Sequence, residues 1–588
     1  MIQSLKYIRT IAAAERSILF RTPKVWVLGS IGGFFTFMLL LATTIASIFD
    51  NSPEGEFMLE GTDAWIALYL FSYAQAIIII FVAADFRKAE TQAHLDQVML
   101  SRPMTTANWV LGKYMGIVSG LLMINLFFLG LSAIGRLVKM YVLDVNFNMM
   151  PAAQYFMIAT VPSILFMTAL VFFLISLVRV QAVAILIPLA YVAGILFYVR
   201  DEYEGLFDYA CFAIPLFNSD LIGFGEIESV LWQRAFYLLL SAALVCGTIL
   251  LYPRLHQSAF SRRITGTTGI LTFSGAVVVV SSIWTQYASQ QDVRNEMRAH
   301  HVERAAAVLP SVTHYDLDIS LDSESNPLAI EAQLTVHNPH SSPIDTLLFS
   351  LNSGLTVTNA IWAGRAVPLI HDSHLIRLAL PTPLGVGKTD SLKLSYTGDI
   401  DGQYFTLERL DEAEGLIPKS GDGPWTKDNI SAWADERIAV LPAQSGWYPV
   451  PGVASGYAYD SPKPANFSTA TIRVETPSDV YAIAQGARVS ESSEGGRRTT
   501  HFNAETPVPA LSLNAGPYER LSRKFSQTEV ELYFYSGHLM GYEAFDDVAD
   551  TCYQAVERLF ELFEQAAGTP YPYPKLSFVE VPLQMQVY

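Results

Sequence analysis

Histidine is the residue type in this chain with the clearest capacity for metal chemistry. Two pairs have the spacing His-x-x-His: His337 with His340, and His371 with His374. Both pairs fall at the ends of predicted strands, where a spacing of three places side chains on opposite faces of a sheet. Metal-assisted hydrolysis from a helix would instead need His-Glu-x-x-His, and none of the eleven histidines is followed by glutamate. We therefore predict surface histidines, no metal ligand and no catalytic residue in this chain.

Two other motifs with a known chemical use are missing from the sequence. Neither a phosphate-binding Gly-x-x-x-x-Gly-Lys-Ser/Thr loop nor a Gly-x-Ser-x-Gly nucleophile turn occurs. Cys211, Cys246 and Cys552 are scattered, which excludes a disulfide framework or a cysteine zinc cluster. The formal net charge of −17 argues against nucleic acid as a partner, because phosphate backbones are bound by clustered Lys and Arg. We expect no cofactor bound by the chain itself.

A membrane module is predicted for the first half of the chain. A span needs about 20 apolar residues to cross the hydrocarbon core of a bilayer. Seven candidate spans lie at residues 25–49, 64–84, 115–135, 155–178, 182–199, 235–252 and 270–284. They contain essentially no ionisable residue, which argues against an ion-coupled carrier. We predict an interfacial amphipathic helix (1–24), a six-span bundle (25–255), and a cytoplasmic linker with a seventh span (256–288).

Charge predicts the orientation of these spans, because Lys and Arg are retained on the cytoplasmic side. The N-terminus and residues 85–113 are basic, whereas residues 50–63 carry five acids and no base. Six spans therefore begin and end in the cytoplasm, and the seventh carries residue 289 onward across the membrane. The apolar segment 206–217 is assigned to an outer loop, with a re-entrant course as one option. We predict a multi-pass protein of the inner or plasma membrane, with a cytoplasmic N-terminus and an extracytoplasmic C-terminal module.

The cytoplasmic connection between the second and third spans is the most informative polar segment. Pro103 ends one predicted helix there, and Thr105 or Thr106 can cap the next, although an ordinary polar loop is the alternative. With Leu-Ser-Arg-Pro at 100–103 and Gly112-Lys113, the region resembles the permease subunits of ABC exporters of the drug- and polysaccharide-export type. The resemblance implies a homodimer or heterodimer and a separate cytoplasmic ATPase subunit that binds ATP. It implies an ATPase contact at Arg87, Lys88, Leu100, Arg102, Pro103 and Lys113.

Beyond a polar stalk (289–308), the pattern changes to that of β-strands. Tyr315, Leu317, Ile319 and Leu321 alternate with polar residues, and further short alternating runs follow between Gly- and Asp-rich turns. This pattern predicts an antiparallel β-sandwich over residues 309–525. Helical spacing then returns at 543–567, followed by Tyr-Pro-Tyr-Pro-Lys at 571–575 and an apolar strand at 576–581. Residues 526–588 are therefore predicted to begin an α/β domain.

The order strand, long helix, Gly-x-Pro-Tyr-Pro-Tyr-Pro-Lys, strand resembles the entry to the catalytic domain of the aminopeptidase N family of zinc metallopeptidases. The resemblance covers residues 305–588 and includes His-Tyr-Asp-Leu-Asp-Ile at 314–319. It implies a thermolysin-like α/β domain after the β-domain, and it places Gln444 at the position of a substrate-anchoring glutamine. Because the zinc motif of that family is missing, we expect zinc and hydrolysis only in a longer parent protein. A degenerate protein without activity is the other option.

These predictions combine into an α-helical membrane bundle of six spans plus a seventh, followed by an extracytoplasmic β-sandwich and the start of a thermolysin-like domain. The function expected first is that of an ABC permease subunit carrying an aminopeptidase-like module. Its partners would be the ATPase, the lipid bilayer and a peptide. One alternative is a membrane-tethered metalloaminopeptidase fragment, although a single span would suffice as a tether. The other is an ectodomain that binds a peptide or partner without transport.

Overall fold

The structure is a computed structural model. It describes residues 2–23, 25–27, 29–30, 34, 38, 72–84, 104–143, 150–178, 180–199, 205–211, 219, 221–225, 227–252, 259–304, 308–321, 327–401, 432–452, 467–525, 527–535 and 543–582. The chain forms two compact units. Apart from short segments, the first comprises Met1–Asn218 with Gly223–Ala288, and the second comprises Ser289–His538 with Tyr542–Tyr588.

The first unit is helical wherever the structure describes an extended element in it. Its described helices are α1 (Ile2–Arg21), α2 (Ser72–Ala83), α3 (Thr106–Leu143), α4 (Met150–Tyr155), α5 (Val161–Val178), α6 (Gln181–Gly194), α7 (Ile227–Leu251) and the part of α8 (Ala259–Arg304) up to Ala288. One π-helical turn, Phe156–Thr160, joins α4 to α5, and a second, Ile195–Val199, extends α6. Such turns are inserted where a helix must change its packing register.

Among the residues that the structure describes, five helical segments of this unit are long and apolar enough to cross a membrane. They are Thr106–Leu131, Ala152–Val178, Gln181–Val199, Ile227–Leu251 and Ala259–Met297. Each overlaps one of the last five predicted spans. The first predicted span (25–49) lies mostly outside the described residues, and the second (64–84) is described only in part. The predicted apolar helical region is therefore confirmed, whereas the total of seven spans stays a prediction.

Helix α1 packs lengthwise and in parallel along the first turns of α3. A stripe of glycines, Gly112, Gly116 and Gly120, forms the contact surface of α3. A Cβ atom added at these positions would meet Ile11, Glu15 and Leu19 at 2.7, 2.6 and 2.3 Å respectively. Without side chains at the three positions, the two helix axes can approach closely. The placement of α1 at a membrane interface stays a prediction.

Helix α8 contains 46 residues and spans about 69 Å at 1.5 Å per residue. The sequence predicts a linker, a seventh span and a stalk as successive segments. The structure places most of all three in one continuous helix that ends at Arg304. Gly269 and Gly275 of α8 lie against Cys246 and Leu239 of α7, so these two helices pack through small residues.

The second unit is rich in β-strands. Its strands are β1 (Ser311–Leu321), β2 (Leu328–His337), β3 (Ile344–Ser350), β4 (Leu355–Trp362), β5 (Arg365–Ala366), β6 (Leu369–Asp372), β7 (Leu375–Leu384), β8 (Thr389–Gly398), β9 (Trp433–Ala434), β10 (Ala439–Leu441), β11 (Val450–Pro451), β12 (Ser468–Pro477), β13 (Tyr481–Ala484), β14 (Ala487–Glu494), β15 (Arg497–Val508), β16 (Leu513–Gly516), β17 (Tyr518–Phe525), β18 (Thr528–Tyr535) and β19 (Lys575–Val579). The predicted change from helices to strands is confirmed.

The strands form four sheets. Their orders are β14-β15-β12-β1-β2-β8-β4-β5, β13-β16-β10-β9, β11-β3-β7-β6 and β17-β18-β19. Strand β1 lies between antiparallel β2 and parallel β12. The purely antiparallel arrangement predicted for residues 309–525 is therefore wrong, because the chain returns to pair with its first strand in the same direction.

One hydrophobic core joins the first three sheets. It includes Leu317 of β1, Phe349 of β3, Ile376 of β7, Leu441 of β10 and the fully buried Trp447. In β1 the buried side chains follow the predicted period of two, since Tyr315, Leu317, Ile319 and Leu321 are all buried. A two-residue period is expected when one face of a strand packs on a core.

The small sheet β17-β18-β19 packs against helix α9 (Glu543–Ala567). Ala549, Tyr553 and Val556 of α9 contact Val530 and Leu532 of β18. Strand β19 pairs with β18 in parallel, which requires a long crossover connection, and α9 supplies it. The helix and the following strand lie where the helical spacing and the Tyr-Pro-Tyr-Pro-Lys segment predict them.

Candidate functional site

The first unit contains a buried polar site around residues 205–211, called here the anchored loop. Its centre is Asp208, whose side chain is fully buried. The Asp208 Oδ1 atom accepts hydrogen bonds from the Tyr73 hydroxyl of α2 at 2.8 Å and from the Ala210 N–H at 2.9 Å. A buried carboxylate is tolerated only when such donors surround it.

Arg234 of α7 is the cation of this site, and it is 3% exposed. Its Nη1 donates to the carbonyl of Tyr209 at 2.8 Å, and its Nη2 donates to the carbonyl of Asp208 at 3.1 Å. The guanidinium also lies 5.2 Å from the ring centroid of Tyr237. Arg234 therefore binds the backbone of the anchored loop.

Three hydroxyl groups, on α5, α6 and α7, also bind the loop backbone. Ser163 of α5 donates to the Tyr209 carbonyl at 2.7 Å, Tyr191 of α6 to Phe207 at 2.8 Å, and Tyr237 of α7 to Leu206 at 3.1 Å. Backbone carbonyls of an irregular segment need such donors when they are away from water. The site can hold the loop in one position among α2, α5, α6 and α7.

These charges were not predicted from the sequence. The predicted spans are essentially free of ionisable residues, and the sixth begins at residue 235, directly after Arg234. In the structure, Arg234 lies within the candidate span Ile227–Leu251, and Lys113 lies within Thr106–Leu131. The available signal was helical continuity from Ile227 through Arg234, because the segment contains no helix breaker. An ionisable residue inside a membrane bundle is a candidate functional residue.

Lys113 is the one described residue among the six for which the sequence predicts an ATPase contact. It is 3% exposed, with its Nζ 5.0 Å from the ring centroid of Trp109. It also interacts electrostatically with Glu15 of α1. Lys113 thus belongs to the contact between α1 and α3. Arg87, Lys88, Leu100, Arg102 and Pro103 lie outside the described residues, and the contact stays a prediction for all six.

Gln444 lies in a short 3-10 turn, Ala443–Ser445, on the surface of the second unit. Its side chain is exposed, whereas the following residues are buried. Gly446 ends the turn with a φ of 64°, and Trp447 enters the core directly afterwards. The turn thus holds the glutamine at the surface, and its role in substrate binding stays a prediction.

His337 and His340, the two members of one histidine pair, contact different residues in the structure. His337 Nδ1 contacts Thr389 Oγ1 at 3.1 Å, and His340 Nε2 contacts the Leu309 carbonyl at 2.7 Å. His374 is fully buried, so the surface position predicted for it is wrong: it directly precedes the first residue of β7, which is itself buried. In the part of the chain that the structure describes, no three His, Cys, Asp or Glu side chains are grouped to hold a metal ion.

Glu531 of β18 is a buried carboxylate of the second unit with partners on several strands. Its side chain is 2% exposed and accepts hydrogen bonds from Arg520 at 2.8 Å, Tyr533 at 3.0 Å and Ser577 at 2.9 Å. Arg488 of β14 lies 3.9 Å from the same carboxylate. Burial alone would raise the pKa of Glu531, but Lys575, Arg520 and these hydrogen bonds lower it below its ordinary value. Glu531 therefore links β14, β17, β18 and β19.

A crevice of about 820 Å³ lies beside this cluster, between the small sheet and the strands around β13–β16. We define it by Gln485, Asn503, Asn514, Gln527, Tyr573 and Lys575. Lys575 crosses its floor, because the ammonium donates to the Ala484 carbonyl at 2.8 Å and lies 4.8 Å from the ring centroid of Phe502. Burial lowers the pKa of Lys575 to about 8, against the opposing attraction of Glu531. The crevice has the size of a site for a small ligand.

Comparisons with known proteins found similarity only among solved structures. No family model matches, and no curated protein matches. Among solved structures, the M1 zinc metallopeptidase from Deinococcus radiodurans is 21% identical, with a TM-score of 0.34, over 47% of this chain and 58% of that chain. Legionella pneumophila aminopeptidase A in complex with aspartic acid is 12% identical, with a TM-score of 0.35, over 46% of this chain and 29% of that chain.

The chain therefore spans less than two thirds of the length of either metallopeptidase. The resemblance of the helical region to ABC permeases stays a prediction.

Proposed function

We propose that this chain is an ABC-type permease subunit that presents a peptide-binding, aminopeptidase-like module outside the membrane. The observation that carries the proposal is the combination of two dissimilar units in one chain. Five apolar helices of spanning length belong to one, and a strand-rich fold with an open crevice belongs to the other. A protein that needed only a membrane tether would need only one span.

The helical unit supports a role beyond anchoring. Asp208 and Arg234 are buried within it, although charged groups inside a bilayer are costly and are usually retained for function. The anchored loop is hydrogen-bonded to several helices, and α1 packs on the glycines of α3. Both contacts are typical of a packed helical bundle. In the proposed assembly, two permease subunits would be driven by ATPase subunits that contact residues 86–106.

The strand-rich unit supports peptide binding as its part of the function. Its crevice offers amide side chains, which can donate to and accept from peptide bonds, beside one ammonium group. Peptide hydrolysis would need a zinc centre, which we propose only for a longer parent protein. Zinc would supply an activated water molecule there, and His-Glu-x-x-His would be required to hold it.

A membrane-tethered metalloaminopeptidase is the second candidate function. It is favoured by the Tyr-Pro-Tyr-Pro-Lys segment, which lies at the crevice and leads directly into β19. In this alternative the helical unit has no transport role, and no ATPase subunit would be bound.

Co-purification separates the two candidates. The full chain should be purified in mild detergent from its native membrane and assayed for associated Mg²⁺-dependent ATP hydrolysis. We expect ATPase activity with the unaltered chain and its loss with Arg102→Glu or Lys88→Glu. Lys388→Glu, in an exposed turn of the second unit, is the matched control and should leave the activity unchanged. Purification without any ATPase activity would exclude the permease proposal and favour the tethered peptidase.

A further inference from the structure

The Lys575 ammonium has hydrogen-bonding capacity left over at the floor of the crevice. An ammonium group has three N–H donors. Within the part of the chain that the structure describes, Lys575 makes one hydrogen bond, to the Ala484 carbonyl. The Glu531 carboxylate attracts it without a direct hydrogen bond. Two donors of this cation therefore have no protein acceptor among the described residues.

The charges around Lys575 leave room for an anion. The groups that act on its ammonium are Glu531 and Glu529, which attract it, and Arg488 and Arg520, which repel it. Arg520 is paired with Glu531 and Glu529, and Arg488 is paired with Glu491 at 2.8 Å. Among these described cations, Lys575 is therefore the one without a carboxylate hydrogen-bonded to it. Glu531 is already bound by Arg520, Tyr533 and Ser577, so its charge is largely committed. A carboxylate in the crevice would give the Lys575 ammonium a direct charged partner.

A neutral hydrogen-bonding group lines the same crevice. Asn514 of β16 is half-buried, and among the described residues its side-chain amide has no hydrogen-bond partner. An amide in the same crevice as an ammonium with unused donors is suited to a ligand that has both a carboxylate and peptide bonds. The crevice volume of about 820 Å³ admits several peptide residues.

We propose that this crevice binds a peptide through a carboxylate group, with the Lys575 ammonium as its counter-ion and the Asn514 amide as a partner for the peptide backbone. The inference rests on the proposed function, since it specifies how the second unit recognises a peptide. Strong recognition of a carboxylate follows from charge-assisted hydrogen bonds, which are shorter and stronger than neutral ones.

The test uses the full chain in nanodiscs and isothermal titration calorimetry with three acetylated tetrapeptides. The first is tetra-alanine with a free C-terminal carboxylate, the second is its C-terminal amide, and the third is the amide with one glutamate in place of alanine. We expect the free acid to bind about tenfold or more tightly than the tetra-alanine amide, equivalent to one charge-assisted contact. If the glutamate peptide also binds tightly, acidic side chains are accepted as well; if it behaves like the amide, the site reads the C-terminal carboxylate.

Variants test whether Lys575 causes the tighter binding of the free acid. Lys575→Met should bind the acid and the amide equally, whereas Lys388→Met in the exposed turn before β8 should retain the preference of the unaltered protein. Asn514→Ala keeps the cation, so it should weaken the binding of all three peptides by a similar factor. It tests the crevice even if Lys575→Met misfolds. The preference of the unaltered protein should decline as the pH rises through about 8, because Lys575 then loses its proton.

The failures of the two proposals are distinguishable. Equal binding of the acid and the amide, or a preference that survives in Lys575→Met, would overturn the carboxylate site and leave peptide binding intact. Absence of binding for all three peptides would overturn both the site and the peptide-binding role of the second unit.

Discussion

At the scale of single residues, Glu531 is the position at which substitution should cost most. Glu531→Gln would leave Arg520, Arg488 and Lys575 clustered without their common counter-ion. Breaking a buried ion pair from one side costs about 3–5 kcal/mol. We expect a loss of this order in the free energy of unfolding of the second unit at about pH 7, measured by thermal or denaturant unfolding.

Glu529→Gln is the matched control, because Glu529 is a neighbouring partner of Arg520 whose side chain is 46% exposed. It should change stability by less than about 1 kcal/mol, as for other exposed pairs. An equal loss in both variants would show that burial of Glu531 is not what makes it important.

The effect of Glu531→Gln should depend on pH, and its direction follows from the pKa shift of Glu531. The folded pKa of Glu531 lies below its ordinary value of 4.5, so its stabilising effect is complete above that value and declines as the pH falls through the folded pKa. The stability difference between the unaltered protein and Glu531→Gln should therefore shrink as the pH falls below 4.5 and through the folded pKa. A difference that stays constant over this range in urea unfolding would contradict the shift.

At the scale of elements, the pairing of α1 with α3 depends on the missing side chains of glycines. In Gly116→Leu, the new Cβ would lie 2.6 Å from the Cβ of Glu15 and 2.9 Å from the Ala12 carbonyl oxygen. Overpacking of this kind costs about 1–3 kcal/mol and should displace α1. The readout is a disulfide between Ser4→Cys and Asn108→Cys, whose native side chains are hydrogen-bonded to each other, and its yield should fall.

Gly130→Leu is the control on the same helix, because a Cβ at Gly130 has no atom within 4 Å. In Gly130→Leu, the disulfide between the cysteines at positions 4 and 108 should form with the same yield as without the leucine. A yield that is equally low in both variants would mean that leucine perturbs α3 in general, and not its contact with α1.

The anchored loop gives a second prediction about elements. Arg234→Met removes two hydrogen bonds from a charged donor to the loop backbone, each worth about 1.5–3 kcal/mol. Local opening should become at least about tenfold more frequent. Cys211 is 1% exposed and serves as the reporter: with Cys246 and Cys552 replaced by serine, maleimide labelling of Cys211 should accelerate by about that factor.

Glu228→Gln, on the exposed start of the same helix, should leave the labelling rate unchanged. Fast labelling of Cys211 in the unaltered protein would contradict the buried position of the loop.

The helices and strands also show which parts of the fold can be predicted from the sequence. The length of the apolar runs predicts five of the helices, because a helix must be long and apolar to cross a bilayer. The alternation of apolar and polar residues predicts the buried face of β1. The parallel pairing of β1 with β12 could not be predicted, since the partners lie more than 150 residues apart and no local pattern encodes direction. Arg234 and Glu531 were missed for a related reason: their roles come from partners on other elements, which helical or strand spacing does not reveal.

At the scale of the whole molecule, the predicted odd number of crossings puts the two ends of the chain on opposite sides of the membrane. A single cysteine at Lys388, in the exposed turn before β8, should react with a membrane-impermeant maleimide in intact spheroplasts. A single cysteine at Gln3, on the exposed side of α1, should react only after lysis. Labelling of both positions from the same side would indicate an even number of crossings and remove the extracytoplasmic module.

The central place of β1 in its sheet has a consequence for biosynthesis. Its partner β12 follows about 155 residues later, for example where His314 meets Thr469. At about 5–20 residues per second, a nascent β1–β2 hairpin would wait on the order of ten seconds with one open edge. Unpaired edges of this kind recruit other strands and lead to aggregation. The newborn chain should therefore need a chaperone that shields this edge until translation reaches Pro477.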